Sequence, residues 1–232
     1  MQAIIITGNQ EDREFYSFVL RHIGLSVVWM AAVKQVANSL QTTPPDLIFL
    51  ASEEQSSLLQ DAQTVRSLSQ APLFVLTDLL PEDLVCAVLD VGADLVLTRP
   101  LSPRIFSRYV KVLLKRAGSV PRSILSPLQS ADLSLDPETR TVTLKDGSRQ
   151  HLTPLEFRLL YVLMTNPEQV IPTDVIIERV WGYSAEGNRE LVRGLVRRLR
   201  RKIEPDSLNV HLIHTHPGIG YRFSTQELPP SK

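Results

Sequence analysis

Over the first half of the chain, short apolar runs alternate with amphipathic stretches. The runs lie at 3–7, 26–29, 47–51, 73–77 and 95–98, and the stretches near 12–22, 32–40, 57–68, 81–91 and 103–116. A run that is apolar at every position, not every second one, belongs to a strand covered on both faces. The stretches between them repeat at helical spacing. Five such strand–helix units within 1–117 predict an α/β domain, a doubly wound five-stranded parallel sheet.

The segment 118–130, GSVPRSILSPLQS, has two prolines and four serines and no period, so it reads as a linker. Beyond it the pattern shortens. Strands are predicted at 133–135, 141–144 and 150–152, parted by the turn signals Asp136-Pro137 and Asp146-Gly147. Thr153-Pro154-Leu155-Glu156 opens a helix: the hydroxyl caps, proline at the first position loses no needed donor, and Glu156 reaches back to the cap. That helix stops at Asn166-Pro167, a second runs from Thr173 to Trp181-Gly182, and a third covers 189–203 before Glu204-Pro205. Strands at 209–214 and 219–223 enclose Pro217-Gly218 as a hairpin. The second domain, 131–226, is therefore predicted to be an α+β winged helix-turn-helix.

Composition narrows the setting. Hydrophobic residues make up 43% of the 232 positions, ample for two cores, and no apolar run approaches the ~20 residues that span a bilayer. No basic segment precedes an apolar block at the N-terminus, so no signal peptide and no membrane association are expected. Cys86, the sole cysteine, excludes an internal disulfide and fits a reducing cytoplasm; its apolar neighbours mark a small helical residue, not a nucleophile. No nucleophile–base pair, metal cluster or phosphate loop is present, so neither an enzyme nor a cofactor is expected.

The formal net charge is zero, but the charge is unevenly placed. Residues 1–120 carry 10 Lys/Arg against 12 Asp/Glu, whereas 189–202 holds seven basic residues and one acid. In that third helix Val192, Val196, Leu199 and Ile203 form one stripe, widened by Leu195. The remaining arc holds Glu190, Leu191, Arg193, Gly194, Arg197, Arg198, Arg200 and Arg201. Arginine's planar fork suits guanine edges and phosphate oxygens, and Gly194 would allow close approach to a groove. An arginine-rich face can be merely solvated; the preceding helix and following hairpin point instead to double-stranded DNA. His211, His214 and His216 raise a metal hypothesis. No cysteine or carboxylate completes a ligand set, so no metal site is expected, and His216 with Thr215 is assigned to the DNA-contacting wing.

The segments LSLDPETR, LTPLEFRLL, NPEQVI, VWGY, RRLRRKIEP and GIGYRF, in this order, resemble the effector domain of the OmpR/PhoB family of response regulators. The resemblance implies that helix 189–203 enters the major groove of promoter DNA and that the hairpin touches the backbone. It also implies that the loop 182–188, from Gly182 to Asn188, meets RNA polymerase. Arg193-Gly194-Leu195 and Pro217 depart from the family pattern, so no relative's operator carries over.

PDLIFL at 45–50 and GADLVLTRPLSP at 92–103 resemble the same family's receiver domain. By that resemblance the acidic pair that holds Mg²⁺ aligns with Thr7-Gly8 and the phosphoryl acceptor with Ala51; Thr77 is retained, and Arg99 replaces a lysine. Thr7, Gly8 and Ala51 supply neither metal ligands nor a nucleophile. Ser52 and Glu53 follow Ala51 but would point elsewhere. The receiver is therefore expected to be phosphorylation-incompetent and the protein to regulate transcription without that switch. The family's pairing face, helix 81–91 with strand 95–98 and helix 103–116, holds Ala87, Leu95 and Tyr109 at charged positions and Val96 at an aromatic one. An apolar homodimer on paired half-sites is the expectation. Two other readings stay open: a regulator gated by a ligand or partner at the former phosphorylation pocket, that pocket having become less hostile to anions or apolar groups, and an interaction protein that binds DNA nonspecifically.

Overall fold

The structure, a computed structural model, describes residues 1–36, 44–53, 55–78, 81–118, 127–130, 133–181, 189–205 and 211–225. The chain forms two compact units, Met1–Ala117 and Gly118–Lys232.

In the first unit five parallel strands, β1 (Gln2–Ile6), β2 (Ser26–Met30), β3 (Leu47–Ala51), β4 (Leu73–Thr77) and β5 (Leu95–Thr98), stand in the order β2-β1-β3-β4-β5. This is the doubly wound order, and its crevice lies where the strand order reverses beside β1. The helices are α1 (Gln10–His22), α2 (Gln55–Leu68), α3 (Glu82–Val91) and α4 (Pro103–Gly118). Of the helix expected at 32–40, a 3₁₀ turn at Val33–Gln35 is described and 37–43 lies outside the described residues.

All five residues of β3 and of β4 are buried, as strands covered on both faces must be. Tyr16, Phe49, Phe74 and Phe106, with centroids of neighbouring rings 4.7 to 5.4 Å apart, seal α1 and α4 onto one face of the sheet. Beyond the other end of β4, Arg66 donates to the Gly92 carbonyl and to Asp94 Oδ2 at 2.9 Å. Gly92, φ +139°, ends α3; a Cβ there would lie 2.5 Å from Arg66 Cγ.

The second unit opens with an antiparallel sheet in the order β6 (Leu128–Ser130), β7 (Leu133–Asp136), β8 (Thr141–Thr143), β9 (Arg149–His151). Strand β6 corrects the expectation that the linker runs to residue 130. It pairs Leu128 with Leu135, and at three residues it is too short to show a period of its own. Helices α5 (Pro154–Met164), α6 (Thr173–Trp181) and α7 (Arg189–Ile203) follow, with β10 (Val170–Pro172), β11 (Ile213–His216) and β12 (Gly220–Phe223) forming a sheet in the order β10-β12-β11. Strand β10 was not anticipated. It passes so close to β12 that a Cβ on Gly220 would sit 1.9 Å from the Ile171 carbonyl oxygen, which makes glycine obligatory there. The hairpin turns at Gly218, φ +75°, and pairs Ile213 with Phe223, so β11 lies later in the chain than the expected 209–214. Among the described residues no helix is long and apolar enough to cross a membrane.

Candidate nucleic-acid interface and pocket

Helix α7 packs against both α5 and α6, so its buried arc is wider than a single stripe. Val192, Leu195, Val196, Leu199 and Ile203 are buried as expected. Leu191, Gly194 and Arg198, assigned to the DNA-facing arc from sequence, are buried too, and that assignment is corrected. Helical periodicity alone cannot show that a second helix covers the flank. Arg193, its side chain 71% exposed, Arg197 and Arg201 remain exposed, spaced at i, i+4 and i+8 along one face. Arg193 pairs with Glu190 one turn back, at 3.1 Å.

Arg198 is held inside instead. Its Nε lies 3.6 Å from Glu156 Oε1, while Lys202 Nζ lies 2.8 Å from Glu156 Oε2 and donates to the His151 carbonyl at 2.7 Å. Glu156 also closes the capping box of α5: Thr153 N–H donates to Oε2 at 2.9 Å, and Thr153 Oγ1 accepts from Glu156 N–H at 3.3 Å. Burial pushes this carboxyl up, but Lys202 and Arg198 outweigh it and hold it below the ordinary carboxylate value.

Arg200 is turned toward the wing. Its Nη2 donates to the Ile213 carbonyl at 2.7 Å and to Thr215 Oγ1 at 2.9 Å. Glu204, one turn on, accepts from the backbone N–H of Leu212 at 2.8 Å and of Ile213 at 2.6 Å. Burial outweighs these bonds and raises the Glu204 carboxyl. The pair therefore clamps the start of β11 to the end of α7. Sequence reasoning missed this clamp; the only signal was an opposite-charge pair at i, i+4. Between α7 and β11 lies an open groove of about 480 Å³ lined by Arg197, Arg200, Arg201, Glu204, His211 and His214, among others. Thr215 is exposed and His216 half-exposed. His214 faces Arg222 across the hairpin, and burial, then Arg222, pushes its imidazole down. Among the described residues no group of three or more His, Cys, Asp or Glu could hold a metal ion. The loop 182–188 lies outside the described residues.

In the first unit, Thr7, Gly8 and Ala51 come together at the C-terminal ends of β1 and β3, beside an open cavity of about 960 Å³. Thr7 and Ala51 are buried; the Thr7 hydroxyl accepts from Asn9 N–H at 3.2 Å, and its carbonyl accepts from Trp29 Nε1–H at 3.1 Å. Asn9 caps α1 and donates to Glu53. Thr77 is fully buried at the end of β4. Arg99 is held between Asp12 and Asp78; burial works against its charge, and the two carboxylates overcome it, Asp12 foremost. Loss of the carboxylates was expected to leave the pocket less hostile to anions or apolar groups; among the described residues Glu11, Glu14, Glu53 and Asp61 line the cavity, and no lysine or arginine does.

On the face of α3, β5 and α4, Ala87, Val96 and Tyr109 are half-exposed. Leu95 is not part of that face. It is 1% exposed, because its register opposite Phe74 turns it under the helices.

Residues 147–223 match the family model for "Transcriptional regulatory protein, C terminal". The chain is 30% identical over 222 residues to the DNA-binding response regulator MtrA of Mycobacterium tuberculosis H37Rv, covering 95% of this chain and 96% of that protein. It is 28% identical over 229 residues to the phosphate regulon transcriptional regulatory protein PhoB of Escherichia coli K12, covering 97% and 98%. A solved structure of a RitR mutant, 20% identical, superposes with a TM-score of 0.74 over 98% of this chain and 100% of that one, a likeness of fold.

Proposed function

The chain belongs to the OmpR/PhoB family of DNA-binding response regulators, and on that premise we propose that it regulates transcription sequence-specifically, without aspartyl phosphorylation, as a dimer. The observation that carries the phosphorylation-independent part is the chemistry at the strand ends. Ala51 closes β3 with no nucleophile, and Thr7-Gly8 offers no carboxylate to a divalent metal. Arg99 stands where a free cation would answer a phosphoryl group, and Asp12 and Asp78 already occupy it.

DNA reading falls to Arg193, Arg197 and Arg201 on the open face of α7, with Thr215 and His216 of the wing toward the backbone. Arg200 works by positioning the wing. The loop 182–188 is the proposed contact for RNA polymerase. The dimer forms through the half-exposed apolar residues of α3, β5 and α4, which need no phosphoryl switch, and places two recognition helices on half-sites ~10 bp apart. The test is competition binding of unphosphorylated protein between selected sites and random duplex. A preference of ~10³-fold or more is expected, and equal affinity for both would reduce the protein to a nonspecific binder.

A second reading has the cavity at the former phosphorylation site admit a regulatory ligand. Its four carboxylates select a cation, so a panel of small amines should raise the melting temperature and a panel of organic acids should not. No shift with any amine removes that reading.

A further inference from the structure

Helix α4 carries Arg104, Arg108, Lys111 and Lys115 at i, i+4, i+7 and i+11, all exposed along one face. At 1.5 Å per residue the stripe is ~16 Å long. These side chains, with Ser107 and Val112, line a shallow groove of about 370 Å³ that contains no acidic residue. Three other arginines of this unit are engaged: Arg13 lies over Trp29, Arg66 pairs with Asp94, and Arg99 with Asp12 and Asp78. Among the described residues none of these four cations, Arg104, Arg108, Lys111 and Lys115, has an ion pair or a side-chain hydrogen bond.

Charge of one sign, concentrated in a region where 10 bases stand against 12 acids, calls for an anionic partner. Val112 and the aliphatic stems of the four cations supply the apolar surface of the groove, while their charged heads suit a phosphate backbone, which requires only regularly placed cations. The position in the chain points the same way. Helix α4 ends at Gly118 and β6 begins at Leu128, so ten chain steps, a reach of at most ~35 Å, join the helix to the start of the second unit. When α7 is in the groove of a duplex, α4 is tethered near the same duplex at high effective concentration.

We propose that this face of α4 is a second, sequence-independent contact to the phosphate backbone of the DNA that α7 reads. It rests on the DNA-binding reading above and extends it to the first unit. Each cation set against a phosphate releases condensed counterions, so the four together should steepen the salt dependence of binding by about three to four units in the log–log slope per protomer.

The test uses the full chain with Arg104→Gln, Arg108→Gln, Lys111→Gln and Lys115→Gln combined, titrated at several salt concentrations against operator duplex and random duplex of equal length. The variant should bind both duplexes more weakly at low salt, by the same factor, with the slope reduced by about three. A second variant, Arg104→Lys with Arg108→Lys, should keep the wild-type slope. An unchanged slope in the fourfold variant overturns the proposal, even where pairing with a second copy or with an acidic protein is lost. If wild-type protein shows no preference for operator, the reading assigned to α7 fails as well; if the preference stands and the slopes agree, only the role of α4 fails.

Discussion

Lys202, in the last turn of α7, places its ammonium nitrogen 2.8 Å from Glu156 Oε2, in the first turn of α5. Arg198 approaches the other oxygen of that carboxylate at 3.6 Å. The residue that caps one helix therefore also fixes the helix that carries the exposed arginines. Removing one partner of a buried ion pair leaves the other uncompensated, so Glu156→Ala should destabilise the second unit by about 3 kcal/mol, measured by denaturant unfolding at neutral pH.

The pH dependence has a definite sign. The folded-state carboxyl of Glu156 lies below its ordinary value of 4.5, so its contribution is present above that value and is lost as pH falls through the depressed one. The melting-temperature gap between wild type and Glu156→Gln should accordingly narrow as pH drops below 4.5. Glu204, raised by burial, works with the opposite sign: its favourable share is present below 4.5 and lost as pH rises through its raised value. A gap that widens in acid would contradict the assignment to Glu156.

Arginines of α7 should divide by burial. Arg193→Ala and Arg197→Ala should each weaken operator binding by on the order of 1–3 kcal/mol where they read a base, and leave the melting temperature near wild type. Arg198→Ala should instead lower the melting temperature by several degrees, because it strips one of two cations from Glu156. Binding isotherms read beside thermal melts separate the two classes; equal behaviour of all three would undo the division.

Incubation with acetyl phosphate and Mg²⁺ should add no phosphoryl mass to the intact protein, and operator affinity should not change. Ala51→Asp should fail as well, since Thr7-Gly8 supplies neither carboxylate of the acidic pair. A stoichiometric mass gain mapped to Ser52 or Glu53 would show a working acceptor.

Self-association should respond to exposed and buried positions differently. Tyr109→Asp should shift the full chain from dimer to monomer in sedimentation at micromolar concentration with its fold retained. Leu95→Asp, 1% exposed in wild type, should unfold the first unit, because an unpaired charge cannot be held in its core. A monomeric wild-type protein would end the dimer reading.

The sequence alone determined the elements whose pattern is local. Strands β3, β4 and β5 and helix α7 fall on the predicted residues, because fully apolar runs and an apolar stripe at helical spacing are written in consecutive positions. The capping box of α5 was legible for the same reason: four successive residues carry it. Tertiary structure decided what depends on neighbours distant in the chain. Whether an arginine of α7 faces solvent or Glu156 is set by α5 and α6 covering a second flank, which a single-helix pattern does not encode. Leu95 went to the core because of its register against Phe74. The acids around the cavity come from α1, α2 and the end of β3, so the cavity is lined by carboxylates although Thr7, Gly8 and Ala51 carry none. Electrostatic fields add over all charges within reach, and in this protein only the fold brings those charges within reach of one another.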